Sequence, residues 1–70
     1  MRIQTHTNDK GMHVVKVTVE SLAEDLEITD WLKENLKDYW VSSVWSYSFG
    51  IVTVTILKDE DYTLFVLRWL

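Results

Sequence analysis

The sequence predicts an α+β domain: a single antiparallel sheet built ββαββ, a main helix on one face, and a short closing helix or strand. Three observations carry this. Residues Tyr39–Lys58 read YWVSSVWSYSFGIVTVTILK, with period-two alternation on both sides of Gly50. Alternation in β-branched and aromatic residues, broken by one glycine, is the pattern of a β-hairpin. Met12–Val19 alternates in the same way. Between them, Ser21-Leu22-Ala23-Glu24 has the form of a capping box, in which the hydroxyl and the carboxylate satisfy free amides at a helix start.

The elements follow in order. Met1–Thr7 alternates weakly around Ile3 and is either the outer strand of an opening hairpin or a loose tail. Asn8-Asp9-Lys10-Gly11 is a turn, with Gly11 able to take a positive φ. In Met12–Val19, His13, Val15, Val17 and Val19 face one way and Val14, Lys16 and Thr18 the other. The helix is expected from Ser21 to about Asp38. Its apolar residues form two lines, Leu22 with Leu26 and Ile28 with Leu32 and Leu36, about 80° apart at the helical angle of about 100° per residue. That allows one helix with a wide apolar face, or a short turn leading into a main helix from Thr29. The hairpin comes next, with Gly50 expected as a left-handed residue closing its loop. Asp59-Glu60-Asp61 is expected as a charged turn. In Tyr62–Leu70, Tyr62, Phe65, Val66 and Trp69 fall at i, i+3, i+4 and i+7, which favours a short helix over a final strand.

Assembled, these elements suit a ferredoxin-like arrangement. Met12–Val19 would pair antiparallel with Ile51–Leu57, which pairs with Tyr39–Phe49. The helix would cross between the two parallel strands, and the N-terminal strand would take the free edge beside Met12–Val19. Val15, Val17, Leu32, Leu36, Trp45, Val52, Val54 and Ile56 form the expected core. The face away from the helix would show Val14, Lys16, Thr18, Trp40, Ser42, Val44, Ser46, Thr53 and Thr55. One charge among nine residues is few for a surface left in water, so a two-fold homodimer with Trp40 and Val44 in the contact is expected.

Seventy residues make one small domain, residues 1–70, with a thin stability margin. The chain has no cysteine, and so no disulfide or thiolate metal site, and no proline. The net charge is −4. Acids concentrate in Glu20–Trp40, where seven face only Lys33 and Lys37. Such a segment repels a phosphate backbone, so nucleic acid is an unfavoured partner. No apolar run reaches the roughly 18 residues that span a bilayer, and the N-terminus lacks the apolar core of a signal peptide. The expectation is a soluble cytoplasmic protein.

Asp59-Glu60-Asp61 followed by Phe65-Val66-Leu67-Arg68-Trp69 resembles the C-terminal end of small uncharacterised proteins of tailed phages, especially marine ones. In those, an acidic turn after a strand leads into an F-x-L-x-W ending. The resemblance implies an origin in a phage or its host, and no activity.

No nucleophile elbow, phosphate loop or metal-binding helix motif is present, so neither an enzyme nor a cofactor is expected. His6 and His13 have no zinc spacing and no third ligand. The run Asp59–Asp61 lacks the spaced oxygens and the glycine of a calcium loop. Glu20, Glu24, Asp25, Glu27 and Asp30 read as a solvated helix start favoured by the dipole, or as a patch that recognises a partner or imitates a phosphate backbone. On the second reading, Glu24, Asp25 and Glu27 join Trp40 and Val44 as partner-binding residues. Trp40, Trp45, Tyr47 and Phe49 could stack bases, but the hairpin has no base before Lys58 to track phosphates. The expected function is a small acidic protein-binding module, a phage-encoded regulator or inhibitor of a host protein. A structural or assembly subunit of a virion and a single-stranded nucleic-acid binder are the alternatives.

Overall fold

A computed structural model describes residues 1–70. The alternating segments form four strands: β1 (Arg2–Thr7), β2 (His13–Val19), β3 (Tyr39–Trp45) and β4 (Gly50–Ile56). The helical segments are α1 (Leu22–Asn35), between β2 and β3, and α2 (Asp59–Trp69), after β4. The strands make one antiparallel sheet in the order β1-β2-β4-β3. Tyr62–Trp69 is therefore helical, as its i, i+3, i+4, i+7 spacing predicts.

Register sets the core. Val15 stands opposite Val54 and Val17 opposite Val52, and with Val19 and Ile56 they are fully buried on one face. Ile28 and Leu32 of α1, Phe65 of α2 and Leu36 just past the end of α1 cover that face. Of the eight expected core residues, seven are buried. Trp45 is the correction: it stays 42% exposed, because it sits at the end of an edge strand that the helices cover only thinly. Of the two apolar lines on α1, Ile28 and Leu32 point inward while Leu22 and Leu26 remain exposed.

Ser21 caps α1, its Oγ accepting from the Glu24 amide at 3.2 Å. The Glu24 carboxylate returns the bond one residue early, to the Glu20 amide at 2.8 Å. The helix ends at Asn35, three residues short of the expected Asp38. Leu36 turns to extended backbone, φ −104° and ψ 152°. The next two amides, Lys37 and Asp38, donate to Asp61 Oδ2 at 3.1 Å each. At the opening turn, Asn8 Oδ1 accepts from the amides of Lys10 and Met12, both at 3.0 Å, and Gly11 takes φ +79°, as the turn chemistry requires.

Two expectations about the hairpin are overturned. β3 ends at Trp45, not Phe49, and Ser46–Phe49 form the loop, closed by Ser46 N donating to Phe49 O at 2.9 Å. Gly50 does not take a left-handed conformation; it is the first residue of β4, opposite Trp45. The acidic run is likewise no free turn. Asp59, Glu60 and Asp61 are the first turn of α2, where their charge suits the helix dipole.

Candidate functional site

Three polar side chains tie the helices to the sheet. Asp61, 4% exposed, joins the start of α2 to the α1–β3 connection through the two amides above. His13 stacks flat on Tyr62, ring centroids 3.9 Å apart and planes 5° from parallel, and its Nε2 lies 2.8 Å from Asp59 Oδ1. Asp25, 7% exposed, accepts a 3.0 Å hydrogen bond from the Trp45 indole Nε1. The indole reaches Asp25 by lying across Gly50. A Cβ at position 50 would stand 2.7 Å from Trp45 Cδ2 and Cε2. An aromatic ring covering a cross-strand glycine is a known way of securing an edge position.

Gly50→Ala is therefore expected to push the indole outward, break its bond to Asp25, and cost about 1–3 kcal/mol, the range for overpacking. Chemical denaturation of Gly50→Ala, Trp45→Ala and the double variant checks this. The glycine should matter only while the indole is present. Equal costs of Gly50→Ala in both backgrounds would refute the coupling.

The predicted site residues separate. Glu24 is spent on the helix cap, and Asp25 is turned inward to Trp45. Glu27 is exposed on α1, 3.9 Å from the Arg68 guanidinium. Trp40 and Val44 lie on the opposite side of the sheet, 62% and 72% exposed. Sequence reasoning assigned no contacts to His13, Tyr62, Asp59 and Asp61. Their partners lie 23 to 49 residues away along the chain, and no local spacing reports them. His6 pairs with Val14 and His13 with Thr7, so the two imidazoles point to opposite faces and share no ligand. No group of three or more His, Cys, Asp or Glu side chains is placed to hold a metal ion.

The sheet face away from the helices is uncovered. Across it run rows of opposed residues: Arg2, Thr18, Ile51 and Val44; then Gln4, Lys16, Thr53 and Ser42; then His6, Val14, Thr55 and Trp40. None of the chain's 11 acids lies on a strand. The protein is thus polarised: a helix layer and loops that hold every carboxylate, and a sheet face that holds Arg2 and Lys16 with Trp40 and Val44. β3 is peculiar in a second way. α1 packs chiefly over β2 and α2 over β4, so the helix layer covers β3 thinly, meeting its end where Asp25 bonds Trp45. Its residues are exposed on both faces, and only Tyr39 is half-buried.

No protein family, curated protein or solved structure matches the chain. No helix is long and apolar enough to cross a membrane.

Proposed function

We propose that the chain is a small acidic binding module that acts by occupying another protein and not by catalysis, as a regulator or inhibitor would. One observation carries the reading: an open sheet face free of carboxylates, on which Trp40 and Val44 stand largely in solvent. Exposed tryptophan is enriched where proteins meet, and contiguous apolar surface on a small domain marks an interaction site. The opposite charge of the two layers would orient an approaching partner, with a salt-dependent association rate. The ferredoxin-like reading is supported by the strand order β1-β2-β4-β3, which is the order such a sheet would have with its last strand moved to the front of the chain. The fold itself carries no function.

Capture of binding proteins from a cell extract tests the proposal. Trp40→Ser and Val44→Ser should each lose the captured protein while keeping the native circular dichroism. Glu27→Gln should slow capture and reduce its salt dependence. Capture unchanged in both sheet-face variants would refute the role of that face. A single-stranded nucleic acid is the second reading. It is favoured by one fact that local sequence did not bring out: β1 adds Arg2 to the face that Lys16 shares with Trp40. Tryptophan quenching by a short single strand, lost at high salt and in Lys16→Glu, would select it.

A further inference from the structure

We infer that β3 is a strand-pairing edge and that its partner is a second copy of this chain, the two sheets joining into one eight-stranded antiparallel sheet. The inference goes beyond the binding reading above: it adds a second copy, paired along the sheet edge, to the protein met on the open face.

An edge strand presents a row of unpaired amides and carbonyls, and monomeric proteins blunt such rows with charges, prolines, bulges or covering elements. The two edges of this sheet differ. β1 carries Arg2 and His6. β3, YWVSSVW, carries no charge, no proline and no glycine. Its ladder to β4 runs unbroken from Tyr39 to Trp45 without a bulge. The helix layer covers it thinly: Val41 and Trp45 on the helix side are 43% and 42% exposed.

The strand is also complementary to itself. A two-fold axis perpendicular to the sheet, passing beside Ser42, keeps each residue on its own face. It sets Ser42 opposite its copy and Trp40 opposite the copy's Val44, twice. On the helix side, Tyr39 meets the copy's Trp45 and Val41 the copy's Ser43. Aromatic and β-branched residues opposed in this way are favourable cross-strand pairs, and no like charges meet. Asp38, just before the strand, would face the copy's Ser46. A face-to-face dimer through the open sheet does worse, because it brings Arg2 and Lys16 of both copies into one interface with no carboxylate on either face.

Because the chain has no cysteine of its own, single introduced thiols report the geometry. Opposed residues of antiparallel strands have Cα atoms about 4.5–5.5 Å apart, within disulfide range. Thr53, one strand further in on each copy, would lie about 14 Å from its counterpart, three strand spacings. The wild type should sediment at twice the chain's 8.3 kDa. Ser42→Cys should oxidise to a covalent dimer and Thr53→Cys should not. Ser43→Lys, on the helix side of β3, should return the mass to that of one chain with unchanged circular dichroism. Cross-linking through Thr53→Cys, with Ser43→Lys still dimeric, would overturn the inference in favour of face-to-face pairing. Cross-linking through Ser43→Cys in place of Ser42→Cys would overturn the register. A strict monomer at high concentration would overturn the second copy altogether. Such a monomer whose captured protein is still lost in Trp40→Ser leaves the binding reading standing. A dimer that captures nothing does the reverse.

Discussion

A Phe65→Ala protein is expected to lose about 3–5 kcal/mol of stability. Phe65 is the largest fully buried side chain. It is the one residue of α2 in the continuous core, and it stands edge-on to Trp31 at 6.0 Å and tilted to Trp69 at 6.4 Å. Truncation removes the ring from contact with both tryptophans and leaves a cavity between the two helices. Folding free energies run at about 0.05–0.15 kcal/mol per residue, so the loss is a large part of what a chain of this size has. Urea unfolding should show the midpoint falling sharply or the native baseline vanishing. Phe65→Leu, which refills most of the volume, should recover much of the loss. A Phe65→Ala midpoint equal to the wild type would mean that α2 does not hold the core closed.

The parts of this fold that depend on neighbours in sequence were legible. The alternation of Val15, Val17 and Val19 and of Val52, Val54 and Ile56 marks two central strands whose faces the register then confirms. The Ser21–Glu24 box marks the start of α1. The period of Tyr62, Phe65, Val66 and Trp69 marks α2. What failed depended on register or on the reach of another element. Gly50 looks like a turn residue because it follows Ser48-Phe49. Only its position opposite Trp45 shows that the missing side chain makes room for an indole. Trp45 alternates like a core residue, and nothing local says that the helices cover β3 only thinly. Trp31 lies off the leucine line of α1, yet it is half-buried, because α2 returns to meet it with Phe65 and Trp69.

The candidate surface divides in the same way. Trp40 and Val44 were legible as outward-facing, since strand parity alone places them. Lys16 was read onto their face from the sequence; the arrival of Arg2 beside it, and the exposure of β3 on both sides, follow from strand order and helix placement, which sequence pattern does not fix. Among the acids, parity and period are silent about Asp25 and Asp61. Each reads as one more surface carboxylate in an acidic run, and each is buried against a partner on another element.

Asp61→Ala should for that reason separate one acid from its neighbours. In the wild type, Asp61 Oδ2 accepts from two consecutive amides, Lys37 and Asp38, that have left α1 and not yet joined a strand ladder. The carboxylate also sits in the first turn of α2, whose preceding residue, Lys58, offers no side-chain cap. Removing it leaves both amides without a protein acceptor and strips the helix start of a charge near its positive end. Hydrogen bonds to a charged group contribute about 1.5–3 kcal/mol, and leaving a buried donor unpaired has a similar cost. A loss of about 2–4 kcal/mol is expected on that basis. Glu60→Ala, one residue earlier and exposed, should stay within about 0.5 kcal/mol of the wild type. Denaturant midpoints measure the contrast, and amide hydrogen exchange localises it: Lys37 and Asp38 should lose protection in Asp61→Ala while the amides of β2 and β4 stay protected below the unfolding transition. Equal losses from Asp61→Ala and Glu60→Ala would mean that the acidic run acts only as undirected charge at a helix start, and that the junction between α2 and the α1–β3 connection is held by the core alone.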